Sequence, residues 1–208
     1  MPVKSSTKSP FSSLSAFQKD SGDVNLIIDT PKGSRNKYKF DEEIGLFKLG
    51  GVLPAGAVFP FDFGYVPSTR GGDGDPLDVL LLMDEPAFVG CLVGARLVGV
   101  IEAEQTEDGE TTRNDRLIAV ASDSRTHQNV RSLNNLDNVF VDEIEHFFVS
   151  YNEAKNKIFR PLGRYGPLRA LKLLAEGERL FREPKKEATT KTAQRKSRVA
   201  VNKRRKRR

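Results

Sequence analysis

Hydrophobic and polar positions read as a succession of strands from residue 24 to residue 121, and helical spacing appears only in the last third of the chain. Residues 24–29 read as a strand, 37–40 as a second with strict alternation, and 45–49 as a third closing a hairpin with it. Residues 31–36 between the first two are a basic turn. Residues 50–69 are rich in Gly, Pro and aromatics, among them Phe59, Phe61, Phe63 and Tyr65, and read as an irregular wall. The apolar run 77–83 reads as a buried central strand. Residues 89–102 look like one bent strand with bulges at Gly94 and Gly99, 104–114 like a polar hairpin loop, and 116–121 like a sixth strand. Strands joined by short loops, with no helix between them, argue for a closed or nearly closed antiparallel barrel. Helical spacing then appears at Val139, Phe140, Ile144, Phe147, Phe148 and Tyr151 within 136–156, with Asp142, Glu143 and Glu145 on the other side. Pro167 opens a second helix whose apolar face is expected at Leu168, Leu171, Leu174 and Phe181. The fold class is therefore α+β, a barrel with packed C-terminal helices.

Charge divides the chain more sharply than hydropathy does. The net charge is +6, but residues 184–208 hold twelve Lys and Arg against one acid, Glu187, so that +11 sits there and −5 remains for residues 1–183. We expect three parts: a disordered polar arm over 1–22, a barrel domain over 23–183 and a basic disordered tail over 184–208. The tail reads either as a solvated extension or, through residues 185–208, as an electrostatic contact for nucleic acid or another polyanion. It has no aromatic residues for base stacking. A single cysteine, Cys91, excludes an internal disulfide and a cysteine-based zinc site, and only His127 and His146 could supply imidazole. No apolar run is long enough to span a bilayer, and residues 1–20 lack the apolar core of a secretory signal. The cytoplasm is the expected location, with no membrane partner.

Candidate chemistry concentrates at the start of the central strand. Asp73, Asp75 and Asp78 lie within six residues, Gly72 and Gly74 free the backbone beside them, and Pro76 stiffens it. Three carboxylates fixed this close repel one another unless a cation or proton sits among them, and oxygen donors suit a hard cation such as Mg²⁺. An ordinary acidic turn capping a strand has the same composition. An EF-hand loop counted from Asp73 fails, because Asp78 stands where that loop needs Gly and Asp84 where it needs Glu. Lys37 on a basic strand, Asn114-Asp115-Arg116 leading another, and Tyr151 late in a helix add donors suited to a phosphate-rich anion.

Taken in order, these pieces resemble the soluble family I inorganic pyrophosphatases. The resemblance covers residues 25 to about 163. It rests on Asn25-Leu26-Ile27-Ile28-Asp29-Thr30-Pro31, Asn36-Lys37-Tyr38, Phe59-Pro60, Phe63-Gly64-Tyr65-Val66-Pro67, Asp73-Gly74-Asp75-Pro76-Leu77-Asp78, Glu85-Pro86, Leu117-Ile118-Ala119-Val120 and His146-Phe147-Phe148 with Tyr151. It implies a five-stranded OB-like barrel, Mg²⁺ as cofactor, pyrophosphate as substrate and hydrolysis to two phosphates by metal-activated water. It also implies that Asp73 and Asp78 bind metal, Asp75 takes the proton of the attacking water, and Lys37, Arg116 and Tyr151 hold phosphate oxygens. The family is commonly oligomeric, which makes a homo-oligomer part of the same expectation.

Several positions depart from the family pattern. Asp29 stands for a Glu, Lys39 for a Glu, Gly51 for a phosphate-binding Arg, Phe59 and Phe63 for two tyrosines, Arg116 for a Lys and Asn152 for a phosphate-binding Lys. Asn114 falls on a metal-binding Asp, with Asp115 adjacent as a substitute ligand, and Glu107 is the nearest counterpart of a second loop aspartate. Each lost charge-assisted contact is worth about 1.5–3 kcal/mol. The resemblance is thus compatible with a pyrophosphatase of lowered activity and with an impaired relative that binds phosphate or nucleic acid, tethered by its tail. Lys39 could return some of the positive charge missing at Gly51 and Asn152.

Overall fold

The computed structural model describes residues 10–183. Nine strands precede or separate two helices: β1 (Val24–Thr30), β2 (Asn36–Asp41), β3 (Leu46–Val52), β4 (Asp62–Tyr65), β5 (Asp78–Leu82), β6 (Leu92–Glu107), β7 (Glu110–Arg113), β8 (Arg116–Ala121), α1 (Asn138–Glu153), β9 (Ile158–Tyr165) and α2 (Pro167–Arg182). The order β1-β4-β5-β8-β6 closes on itself, because β6 pairs with β1 as well as with β8. This five-stranded ring is the OB-like barrel. Strands β7 and β9 add to the long β6, and β2 with β3 stands apart as a hairpin.

The ring is not wholly antiparallel, contrary to the pattern reading: β5 and β8 run parallel, with Val79 opposite Leu117 and Leu82 opposite Val120. A buried parallel pair needs apolar residues on both faces. Both strands supply them, since Val79–Leu82 and all of β8 are buried. Alternate residues feed two cores. Ile28, Val79, Leu81, Leu117 and Ala119 pack with Ala170 and Leu174 of α2. Leu80, Leu82, Ile118 and Val120 pack with Val141, Ile144 and Phe148 of α1.

Other sequence expectations need correction. Within the supposed irregular wall, residues 62–65 form β4, where Gly64 lies so close to β1 that a Cβ there would sit 2.1 Å from the Ile27 carbonyl oxygen. The supposed loop 104–114 is a continuation of β6 turning into β7. Strand β9 was not foreseen; only its Phe159 is buried, and Pro161 interrupts its polar pattern. A bulge occurs by Gly99 but not at Gly94, which pairs regularly with Asn25. In α2 the buried face is Ala170, Leu174 and Gly177, while Leu168 is 83% exposed and Leu171 and Phe181 are also exposed. Of the expected arm, residues 10–22 pack on the domain: Ala16 is buried, Phe17 bridges to Val24, and the Phe11 ring meets Phe40 and Phe47 edge-on. Residues 1–9 and the basic tail from 184 lie outside the described residues.

Candidate active site

The parallel pairing of β5 and β8 is what builds the site. Parallel strands begin at the same end, so Asp78 and Arg116, the first residue of each, come side by side. The Arg116 Nη1 lies 2.8 Å from an Asp78 carboxylate oxygen, and the guanidinium is almost fully buried over the Phe148 and Phe159 rings. Its Nη1 also donates to the Asn114 side-chain carbonyl. Asn114 in turn donates to Gln105 at 3.1 Å.

The acidic turn before β5 is fixed by its own backbone and by α2. Gly71 N–H donates to the Asp75 carbonyl at 2.7 Å and Gly74 N–H to that of Gly71 at 3.1 Å; the Gly74 φ of +86° suits glycine. Arg70 N–H donates to the Gly177 carbonyl at 3.0 Å, which ties the turn to α2. Asp73 accepts the Asp75 N–H at 3.1 Å. Although Asp73 is exposed as a residue, burial of its carboxylate, with the charges of Asp78 and Asp75, pushes its pKa up to about 6.

Basic residues face this rim from the hairpin. The Lys37 Nζ lies 2.7 Å from both oxygens of Asp29 and 4.2 Å from the centroid of the Phe63 ring. Burial raises the Asp29 pKa despite Lys37, and Asp78 adds to the rise. Lys39 donates to Asp75 at 2.8 Å in a half-exposed pair. Tyr151 ends the row, its hydroxyl pushed up to about 12 by burial and by the charge of Asp78.

One cleft of about 450 Å³ gathers Lys37, Asp73, Asp75, Asp78, Asn114, Arg116 and Tyr151. Asp115 is not among its lining residues. In the link between β7 and β8 it instead accepts from the Ala103 N–H at 2.9 Å and from Arg113 at 2.8 Å. Its expected role as substitute metal ligand has no geometric support. Glu107 is likewise absent from the lining and pairs with Lys157 at 2.7 Å. Lys155, Lys157, Gln105 and Tyr65 also line the cleft, and none of them is among the site residues expected from the sequence. Tyr65 is notable for a buried hydroxyl with no partner.

Among the described residues no three His, Cys, Asp or Glu side chains are grouped closely enough to hold a metal ion as they stand. Asp75 and Asp78 each spend an oxygen on a base. The donor chemistry still fits a hard divalent cation. The rim offers carboxylate oxygens, and Asp73 has no basic partner among the described ion pairs, its pKa staying raised although the charge of Arg116 opposes the rise.

Residues 26–181 match the family model for inorganic pyrophosphatase. The chain belongs to the inorganic pyrophosphatase family. An inorganic pyrophosphatase of Synechocystis is 37% identical over 146 residues, covering 70% of this chain and 84% of that protein. The one from Geobacillus stearothermophilus is 36% identical over 162 residues, or 78% and 96% of the two chains. Among solved structures, the inorganic pyrophosphatase of Thermus thermophilus superposes with a TM-score of 0.75 at 30% identity, covering 83% of this chain and 99% of that one. The Helicobacter pylori enzyme gives 0.74 at 32% identity, over 82% and 99%. The family resemblance and its five-stranded barrel are thus borne out. No helix of the described residues is long and apolar enough to cross a membrane.

Proposed function

We propose that this protein hydrolyses inorganic pyrophosphate to two phosphates with Mg²⁺ as its cofactor, in the cytoplasm. One observation carries the reading: an acidic rim, Asp73, Asp75 and Asp78, lines one cleft together with Lys37, Arg116 and Tyr151. Asp73 and Asp78 would hold the cation, with Asn114 as an uncharged oxygen donor. Bound there, Mg²⁺ would neutralise phosphate oxygens and acidify water. Lys37 and the Arg116 fork hold one end of the anion, and Tyr151 donates its hydroxyl to it. Asp75, at the exposed lip, accepts the proton of the attacking water; its contact with Lys39 is weak enough to exchange.

The test is phosphate release from pyrophosphate with Mg²⁺, for wild type and Asp75→Asn. We expect a loss of at least about a hundredfold in turnover, with unchanged circular dichroism. Equal rates would remove Asp75 from the chemistry. The second reading, an impaired binder of phosphate-rich ligands, draws on the way Lys39 and Arg116 already occupy Asp75 and Asp78. It requires that wild type bind phosphate without turning pyrophosphate over.

A further inference from the structure

Five cationic side chains line the cleft: Lys37, Lys39, Arg116, Lys155 and Lys157. Four already have a carboxylate. Lys37 is paired with Asp29, Lys39 with Asp75, Arg116 with Asp78 and Lys157 with Glu107, all at 2.7–2.8 Å. Among the described residues Lys155 is the exception. Its Nζ donates to the Tyr151 hydroxyl and lies 4.0 Å from the centroid of the Tyr151 ring, with no carboxylate in reach.

We propose that Lys155 is the substrate-binding cation that replaces the charge absent at Asn152, gripping a phosphate oxygen together with Tyr151. The inference rests on the pyrophosphatase reading and specifies how the anion is held. Asn152 cannot take that part. It is 2% exposed, and its amide donates to the Phe148 carbonyl of its own helix at 2.8 Å. The turn that presents the lysine closes on the backbone at this position: the main-chain carbonyl of Asn152 accepts the N–H of Lys155 at 2.9 Å and of Lys157 at 3.0 Å, and Asn156 takes a φ of +59° to complete the turn. Asparagine is among the few residues that adopt that conformation readily. The positive charge thus moves three residues along the chain while staying on the same wall.

The electrostatics agree with the geometry. Burial, with the neighbouring charges of Lys37 and Lys157, pushes Lys155 down to about 8, and Glu107 opposes this only in part. Tyr151 faces it as a neutral hydroxyl, and Arg35 lines an adjoining hollow. An arriving oxyanion supplies the missing counter-charge and draws the proton back onto Lys155.

Two measurements on the full chain test this, for wild type, Lys155→Gln and Lys155→Arg. The first is the KM for pyrophosphate from pH 7 to 9.5 at saturating Mg²⁺. The second is calorimetric binding of inorganic phosphate, which needs no turnover. Lys155→Gln should raise KM and weaken phosphate binding about tenfold to a hundredfold, the worth of one charge-assisted contact. Wild-type KM should climb above pH 8 as the lysine loses its proton, whereas Lys155→Arg should restore binding and keep KM flat. If wild type hydrolyses pyrophosphate and Lys155→Gln matches it in KM and in phosphate binding, this assignment falls and the enzyme reading stands. If wild type does not hydrolyse pyrophosphate, the enzyme reading falls. Phosphate calorimetry then still decides Lys155: weaker binding by the Gln variant supports its role, and equal binding overturns it.

Discussion

Replacing Lys39 with Gln should tighten Mg²⁺ binding, and the size of the effect can be worked from the rim. Lys39 is the resident cation of the acidic turn. Burial works against its charge, but the hydrogen bond to Asp75 and the charges of Asp75, Asp78 and Asp73 outweigh this and raise its pKa. Its pair with Asp75 is 2.8 Å long but more than half exposed on both sides, so removing it costs about 0.2–1 kcal/mol and the variant should fold. A divalent ion arriving at the same carboxylates must work against that ammonium. A pair of unit charges at about 4 Å is worth about 1 kcal/mol in water, hence about 2 kcal/mol against a double charge, or about thirtyfold in affinity at low salt. At physiological ionic strength, where the screening length is about 8 Å, the gain should shrink. Calorimetric titration with Mg²⁺ and Mn²⁺ at low and moderate salt measures it, and Lys39→Glu should move further in the same direction. Unchanged affinity at low salt would mean that the metal does not go to this rim, and the roles given to Asp73 and Asp78 would be withdrawn.

Three shorter predictions follow from other parts of the molecule. Gly64→Ala would push a Cβ to 2.1 Å from the Ile27 carbonyl oxygen and 2.9 Å from its carbon, both backbone atoms that cannot swing aside; we expect a loss of about 1–3 kcal/mol, read as a thermal melt lowered by several degrees, and an unchanged melt would contradict the close β1–β4 packing. Asp73 must be unprotonated to bind a cation, so with its pKa pushed up to about 6 the Mg²⁺ needed for half-maximal rate should rise about tenfold from pH 7 to pH 5; a flat requirement across that window would exclude Asp73 as a ligand. Removing residues 184–208 takes away +11 of charge and should abolish salt-sensitive retention on RNA or heparin while leaving pyrophosphate hydrolysis unchanged; retention that survives the truncation would place the polyanion contact elsewhere.

The barrel was legible where burial and periodicity agree. Runs such as 24–29, 77–83 and 116–121 are apolar because both faces of those strands are covered. Periodicity says nothing about direction, however, and so the parallel β5–β8 pair went unread. The Asp108-Gly109 pair is a strong hairpin signal, both residues having positive φ, yet the polar residues on either side of it masked β7. On α2 the pattern correctly picked out Leu174 but missed Ala170 and Gly177, small residues of the packed face, of which Gly177 lets the helix approach Leu77 and the acidic turn. The acids of the site were readable because they cluster in sequence. Lys155 was not, because its significance lies in having no carboxylate partner, and partners are set by the fold.

The charges of the cleft explain how the departures from the family pattern hang together. Asp29, Asp75 and Asp78 are each matched to a base, so most of the site is neutral without ligands. Besides the exposed Glu42, two groups are left over. Asp73 has no basic partner among the described ion pairs and is pushed up to about 6, and Lys155 has no acid and is pushed down to about 8. The two shifts have opposite sign and a shared cause, since burial disfavours each unmatched charge. A cation answers the first and a phosphate oxyanion the second. The pairing of Lys39 with Asp75 fits the same proposal, in which a metal entering the rim would free an ammonium for an anion to use. On the proposed reading, the charge reversal expected at Lys39 and the loss expected at Asn152 would form one redistribution of charge. In that reading the internal ion pairs would hold the site until metal and anion arrive to exchange partners with them.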